Sequence, residues 1–109
     1  MKLYLGGAYQ GQEELARSEN PGSSIYTDFH EVIRAAVLRG GQEPRAFARR
    51  FCKENPNAVI VANEVGSGVV PIDTNDREYR EAVGRALCVI AQEAESVIRC
   101  VCGIGVRIK

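Results

Sequence analysis

The feature that most constrains this chain is a run of five apolar residues, Ala58 to Ala62, that ends directly at an acidic, glycine-rich stretch, Asn63 to Pro71. A short strand that is apolar at every position predicts burial on both faces, as in the central strands of parallel sheets. In α/β proteins, ligand sites lie at the carboxyl ends of such strands. The sequence therefore predicts a buried parallel strand with a candidate site at its end.

Strand-like and helix-like patterns alternate along the chain, and turn residues separate them. The predicted strands are residues 2–5, 24–27, 58–62, 97–102 and 106–109. The predicted helices start near Glu13, Asp28, Pro44 and Asn75. This alternation predicts one α/β domain over residues 1–109, in which right-handed crossovers place helices on both faces of a mostly parallel sheet, giving three layers.

Two local patterns predict details of this fold. Asp28 followed by Glu31 has the spacing of a capping box, in which each side chain satisfies a backbone N–H of the first helical turn. Cys100 and Cys102 alternate with apolar neighbours, which predicts that both face the core as buried small residues. A turn is predicted at residues 103–105, ahead of the final strand.

Composition argues against several classes of partner. Lys and Arg number 14 and Asp and Glu also number 14, so the chain lacks the net positive charge that favours nucleic acid or an anionic membrane. No apolar run approaches the roughly 20 residues of a membrane span, and a cytoplasmic location is expected. The four cysteines show no CxxC spacing and there is one histidine, so no metal site is predicted.

The segment from Gly6 to Glu13 lies between a strand and a helix and has the outline of a phosphate-binding P-loop, GxxxxGK[ST]. Gln12 stands at the lysine position and Glu13 at the Ser/Thr position. Neither residue can supply the ammonium that neutralises phosphates or the hydroxyl that binds magnesium. Backbone N–H groups of the loop could still meet an anion, so a ligand site and a purely structural turn both remain open.

Glu64 and His30 are the other candidates. The Glu64 carboxylate could hold a metal-bound water or a ribose hydroxyl, or it could cap the local turn, and the sequence does not separate these readings. His30 follows a helix start, where the helix dipole favours a neutral ring. A packing or solvent-facing role is favoured over a nucleophilic one, because no proton-transfer partner can be assigned to it.

Three ordered segments together with the opening loop carry a resemblance to one family. These segments are Val61–Pro71, Arg77–Arg85 and Gly103–Lys109, and they are joined by Gly6-Gly7-Ala8 near the start. They resemble the adenosylcobinamide kinase/adenosylcobinamide-phosphate guanylyltransferase family of cobalamin biosynthesis. The resemblance implies a shortened P-loop-NTPase-like fold, GTP or ATP with magnesium as ligands, a corrinoid partner and a homo-oligomer that is a trimer.

The resemblance also implies a nucleotide site. Its predicted residues are Gly6, Gly7, Ala8, Tyr9, Gln10, Gly11, Gln12, Glu13 and Glu64. No catalytic residue is assigned, because the lysine, the hydroxyl and the family's nucleophile-histidine segment are missing. The prediction is a family member with reduced or lost catalysis that retains nucleotide binding. The alternatives are an active kinase/guanylyltransferase and a non-enzymatic interaction subunit.

Overall fold

The computed structural model describes residues 1–64 and 74–109, with side chains for 1–64 and 77–109. The strands are β1 Lys2–Gly6, β2 Ile25–Tyr26, β3 Val59–Asn63, β4 Ser96–Val101 and β5 Ile104–Arg107. The helices are α1 Gln12–Glu19, α2 Phe29–Arg34, α3 Pro44–Glu54 and α4 Thr74–Glu93. The predicted order of elements is confirmed within these ranges.

The five strands form one sheet in the order β2-β3-β1-β4-β5. The first four are parallel, and β5 returns antiparallel to β4. The predicted buried strand, β3, lies between β2 and β1, and its residues Val59 to Ala62 are all buried. Because the parallel strands share one direction, β1, β3 and β4 end at the same edge, where the predicted ligand site lies.

Side chains alternate between the two faces of the sheet, and helices cover both. One core contains Leu3, Ile60 and Val97 and packs against α2, α3 and α4. The second core contains Tyr4 and packs against α1 through Ala16. This arrangement confirms the predicted α/β class with helices on both faces of a mostly parallel sheet.

The start of α2 differs from the predicted capping box. Asp28 has a left-handed backbone, with φ 50°, and its side chain caps no N–H group. An N-cap side chain reaches the helix from an extended backbone, which Asp28 does not adopt. Its carbonyl oxygen accepts from the Glu31 N–H at 2.9 Å instead, and the Glu31 side chain pairs with Arg34. The capping-box prediction is therefore wrong, although the helix begins where expected.

The end of α2 continues as a π-helical segment, Ala35–Arg39. The chain then turns at Gly41, whose φ of 67° favours glycine. In α3, Pro44 occupies the first turn, and the preceding Glu43 carboxylate accepts from Arg45 N and Ala46 N at 3.1 and 2.7 Å. These two charge-assisted bonds hold the pKa of Glu43 below its ordinary value.

The β4–β5 turn also differs from its prediction. It lies at Cys102 and Gly103, whose φ values of 50° and 78° are both positive, as in the two-residue type I′ hairpin turn. Cys102 is consequently exposed, whereas Cys100 is buried. The prediction that both thiols face the core is wrong for Cys102, because strand alternation stops at Val101.

Candidate functional site

The loop between β1 and α1 is a tight turn at the carboxyl edge of the sheet. Gly11 precedes α1 with a left-handed backbone, φ 85°, and its carbonyl accepts from Leu15 N at 3.1 Å. A Cβ atom at Gly11 would lie 3.2 Å from the Gly103 Cα atom. Tyr9 also has a positive φ, 61°, and its side chain extends fully into solvent. The loop therefore requires glycine at position 11.

Gln12, at the lysine position of the P-loop outline, is folded into the loop. It is 5% exposed, and its Nε2 donates to Gly7 O at 3.1 Å and to the Asn63 side-chain Oδ1 at 2.9 Å. A third acceptor, Gly6 O, lies at 3.3 Å. The amide thus joins the ends of β1 and β3 and satisfies their polar groups. It is occupied in holding the fold and does not extend toward a ligand.

Gln10 connects the same loop to the β4–β5 turn. Its Oε1 accepts from Cys102 N at 2.7 Å, and its backbone carbonyl accepts from Gly103 N at 2.8 Å. Both N–H groups of the hairpin turn are therefore satisfied by one loop residue. This pairing also accounts for the left-handed backbone of Cys102, because it directs both N–H groups toward Gln10.

A cleft of about 390 Å³ opens beside the loop, on the α1 face of the sheet. It is lined by Ala8, Tyr9, Gly11, Gln12, Glu13, Glu14, Asp28, Val61 and Asn63. Three of these residues are acidic and none is basic, which disfavours a triphosphate that is not accompanied by a cation. Within the described ranges, no group of three His, Cys, Asp or Glu residues is arranged to hold a metal ion.

Glu64 lies at the end of β3 with a different environment. Its N–H donates to Gly6 O at 2.8 Å, which extends the pairing with β1 by one residue. Its carboxylate meets Arg99 of β4 through both oxygens, each at 3.3 Å from a guanidinium nitrogen. The Glu64 side chain is 23% exposed and that of Arg99 54%. This edge therefore presents a paired carboxylate and guanidinium that solvent can reach.

His30 is a packing residue and not a surface one. It is 7% exposed, and its Nδ1 accepts from the backbone N–H of Asn63 at 3.1 Å. That nitrogen must carry no proton in this arrangement, so its lone pair is already used. His30 thereby joins the start of α2 to the end of β3.

A larger groove of about 520 Å³ lies on the same face as α1 but toward the start of the strands. Beside it, the buried Tyr4 hydroxyl donates to Glu19 Oε1 at 2.7 Å and accepts from Asn20 Nδ2 at 3.0 Å. Burial, and then the bond to Glu19, raises the pKa of Tyr4 to about 12. These contacts anchor α1 to β1, so the groove belongs to the scaffold and lies away from the carboxyl edge.

The structure thus brings the predicted loop and Glu64 to one edge, where β1 and β3 end. The glycines predicted beside Glu64, Gly66 and Gly68, lie outside the described residues. Two residues at this edge were not predicted, Asn63 and Arg99. Asn63 could have been noticed as a polar residue directly after a buried strand, whereas nothing local in the sequence marks Arg99 as the partner of Glu64.

The fold and this edge define a three-layer α/β protein with a P-loop-like turn whose lysine position is taken by a structural glutamine. The family model of CobU, described as cobinamide kinase / cobinamide phosphate guanyltransferase, matches residues 30–108. The match covers more than two thirds of the chain, and the chain therefore belongs to the CobU family. The loop Gly6–Glu13 lies ahead of the matched residues, so its likeness to the family's glycine loop stays a prediction.

Two relatives are similar over a shorter stretch. Both are named bifunctional adenosylcobalamin biosynthesis protein CobU, one from Salmonella typhimurium and one from Escherichia coli, and each is 42% identical over 59 residues. That stretch is 53% of this chain and 33% of each relative, so the similarity spans about a third of the relatives' length.

No helix within residues 1–64 and 74–109 has both the length and the apolar character needed to cross a membrane.

Proposed function

We propose that this CobU-family chain binds a nucleotide and has reduced or lost cobinamide kinase and guanylyltransferase activity. The observation that carries the proposal is the position of Gln12, which is buried and donates to the ends of β1 and β3. A P-loop lysine acts by placing a positive charge against the β and γ phosphates. The Gln12 amide is neutral and already serves as a structural donor, so it supplies no positive charge and does not extend to the phosphates.

The nucleotide is proposed to bind at the carboxyl edge, between the loop Gly6–Glu13 and Glu64. The loop would contribute backbone N–H groups, since its side chains Gln10 and Gln12 have internal partners. The Glu64 carboxylate would accept from ribose hydroxyls or hold a magnesium-bound water, and Arg99 beside it would offset phosphate charge. GTP or ATP with magnesium is the proposed ligand, with a corrinoid as the second partner.

The guanylyltransferase half of the proposal concerns His30, the sole histidine. A nucleophilic ring nitrogen needs a free lone pair and access to the α-phosphate. The Nδ1 lone pair accepts from Asn63 N, and the side chain is almost fully buried. We therefore expect no covalent guanylyl adduct when the chain is incubated with labelled GTP and examined by intact mass spectrometry. An adduct that disappears in His30→Ala would contradict this assignment.

The kinase half is tested by phosphoryl transfer to adenosylcobinamide with ATP or GTP and magnesium. We expect no turnover above background, because the loss of one such electrostatic contact commonly costs on the order of 100-fold in rate. The double variant Gln12→Lys, Glu13→Ser restores the P-loop pattern and should gain nucleotide affinity if the loop keeps its shape. Robust turnover by the unaltered chain would overturn the proposal in favour of an active enzyme.

The chain is further proposed to act as a homo-oligomer in the cytoplasm, with the three subunits that the family resemblance implies. Four free thiols, Cys52, Cys88, Cys100 and Cys102, suit a reducing compartment. Burial raises the pKa of the Cys52 and Cys100 thiols, which keeps both protonated and unreactive.

A further inference from the structure

The two edges of the sheet are unequal. At one edge, β2 has two residues, Ile25 and Tyr26, and both are half-buried. At the other edge, β5 has four residues, Ile104–Arg107, and all are exposed. Very short edge strands resist pairing with another chain, whereas a longer exposed edge offers unpaired N–H and C=O groups to one. The edge able to take up a further strand is therefore β5.

The β4–β5 hairpin also carries an exposed apolar face. Among the described residues, seven large hydrophobic side chains are exposed, and four of them are Val101, Ile104, Val106 and Ile108, at 51%, 68%, 54% and 61%. Val101 is directly opposite Ile104 in the hairpin register, so the two share a face. Strand alternation places Val106 and Ile108 on that face as well. Most of the exposed large hydrophobic side chains of the described residues thus lie in or beside the β4–β5 hairpin.

The backbone direction of β5 limits how another strand can pair with it. Ile108 N donates to Val97 O at 2.8 Å, so Ile108 directs its backbone groups toward β4. By alternation Ile104 and Val106 do the same, whereas Gly105 and Arg107 direct their N–H and C=O groups outward. A partner strand must therefore form its hydrogen-bonded pairs with Gly105 and Arg107.

The sequence of β5 complements itself in one antiparallel register. When the two-fold axis passes through Val106, the outward backbone N–H and C=O groups of Gly105 pair with those of Arg107 in the second copy. Val106 then lies opposite Val106 of the second copy. Ile104 then faces Ile108 of the second copy, which gives three apolar cross-strand pairs on one face.

Neighbouring registers are less favourable. An axis through Gly105 leaves two apolar pairs, because Ile104 of each copy lies opposite Val106 of the other copy. An axis through Arg107 places two arginines directly opposite each other, which is destabilising. In the preferred register each Arg107 side chain lies over the glycine of the other copy.

We propose that β5 pairs with β5 of a second copy of this chain about a two-fold axis through Val106, so that one continuous sheet crosses both copies. The contact is isologous, because the same strand is used by both partners. It lies at the opposite side of β1 from β3, and it uses none of the loop or Glu64 side chains. A three-subunit assembly would need a different surface.

The first test is the mass of the full chain in solution by light scattering after size exclusion, without nucleotide. Val106→Lys should halve the mass, because it places two ammonium groups against each other at the axis. The matched control is Val32→Lys, which alters an apolar residue of comparable exposure, 41%, on α2 and should leave the mass unchanged. Equal masses for the unaltered chain and a folded Val106→Lys, as judged by circular dichroism, would overturn the proposal.

The second test reports the axis itself and does not depend on Val106→Lys folding. In a Cys88→Ser, Cys102→Ser background, Val106→Cys should form an intermolecular disulfide under mild oxidation. A non-hydrogen-bonded antiparallel pair brings its two Cα atoms to about 4.5 Å, within disulfide reach. Ile104→Cys should not cross-link, because its partner is Ile108. Cross-linking at both positions equally, or at neither, would overturn the proposed register.

Discussion

The loop after β1 and the end of β3 lie side by side at the carboxyl edge of the sheet, yet their polar side chains serve different purposes. In the loop, Gln10 and Gln12 bond to the hairpin turn and to Asn63, so they hold parts of the fold together. At the end of β3, Glu64 and Arg99 form a pair that solvent reaches. A chain can thus keep the outline of a phosphate-binding turn while its side chains become structural, and the proposed function assigns ligand recognition to the neighbouring strand end.

The largest expected effect is on the loop side of this comparison. Gly11→Ala should lower the free energy of unfolding by about 2–3 kcal/mol, because a left-handed alanine is strained and its Cβ meets the Gly103 backbone. Gly22→Ala is the matched control, since Gly22 has a φ of 79° with nothing within 4 Å of an added Cβ. Urea denaturation of both variants separates strain from contact, and equal losses would show that the Gly103 contact is unimportant.

Removal of the loop amide should have the next largest effect. Gln12→Ala leaves the half-buried Asn63 side chain and the Gly7 carbonyl without the donor that Gln12 supplies, at a cost of about 1–3 kcal/mol. Glu14→Ala changes an exposed residue of the same helix and should stay within about 0.5 kcal/mol. If the two variants unfold at the same urea concentration, Gln12 is not the structural donor described above.

Alkaline pH provides a third test, of the contacts that anchor α1 behind the loop. Tyr4 has a folded-state pKa of about 12, above the ordinary value near 10, so the folded chain keeps a proton that the unfolded chain loses. This contribution is fully present below pH 10 and is lost as pH rises toward 12, by about 1.4 kcal/mol per pH unit.

The matched substitutions for this test are Tyr4→Phe and Tyr9→Phe. Tyr4→Phe should flatten the alkaline slope of the unfolding free energy, whereas Tyr9→Phe should not, because Tyr9 is fully exposed. A slope that survives in Tyr4→Phe would mean that another group is responsible.

The smallest effect on stability is expected at the end of β3. Arg99→Gln removes an ion pair whose guanidinium is 54% exposed, and such pairs contribute about 0–1 kcal/mol. The thermal midpoint should therefore change little. The change should be only slightly larger at low salt than at high salt. A loss as large as that of Gln12→Ala would show that both regions are structural and would remove the contrast between them.

Local patterns in the sequence were sufficient for most of the fold. The all-apolar β3, the glycine and proline stops and the helical spacing of α4 each act within a few neighbouring residues. These patterns predicted the parallel sheet and its two helical layers, and they also brought the loop and Glu64 to the same edge.

The details that were missed depend on contacts between distant residues. The left-handed turn at Cys102 is bonded to Gln10, and Glu64 pairs with Arg99 across the end of β1. The role of Gln12 depends on Asn63 in the same way. No local period encodes such pairs, because each forms only after the strands have been brought together.

The most direct test of the contrast is the GTP affinity of two isosteric variants, Glu64→Gln and Glu13→Gln, measured by calorimetry with magnesium. Each removes one carboxylate, the first from the end of β3 and the second from the loop. We predict that Glu64→Gln weakens binding by about tenfold, the effect of losing a charge-assisted contact, whereas Glu13→Gln leaves it equal or tighter because a negative charge beside the phosphates is gone. The account would be contradicted if Glu13→Gln bound GTP more weakly while Glu64→Gln bound it as tightly as the unaltered chain. It would also be contradicted if the unaltered chain bound no GTP.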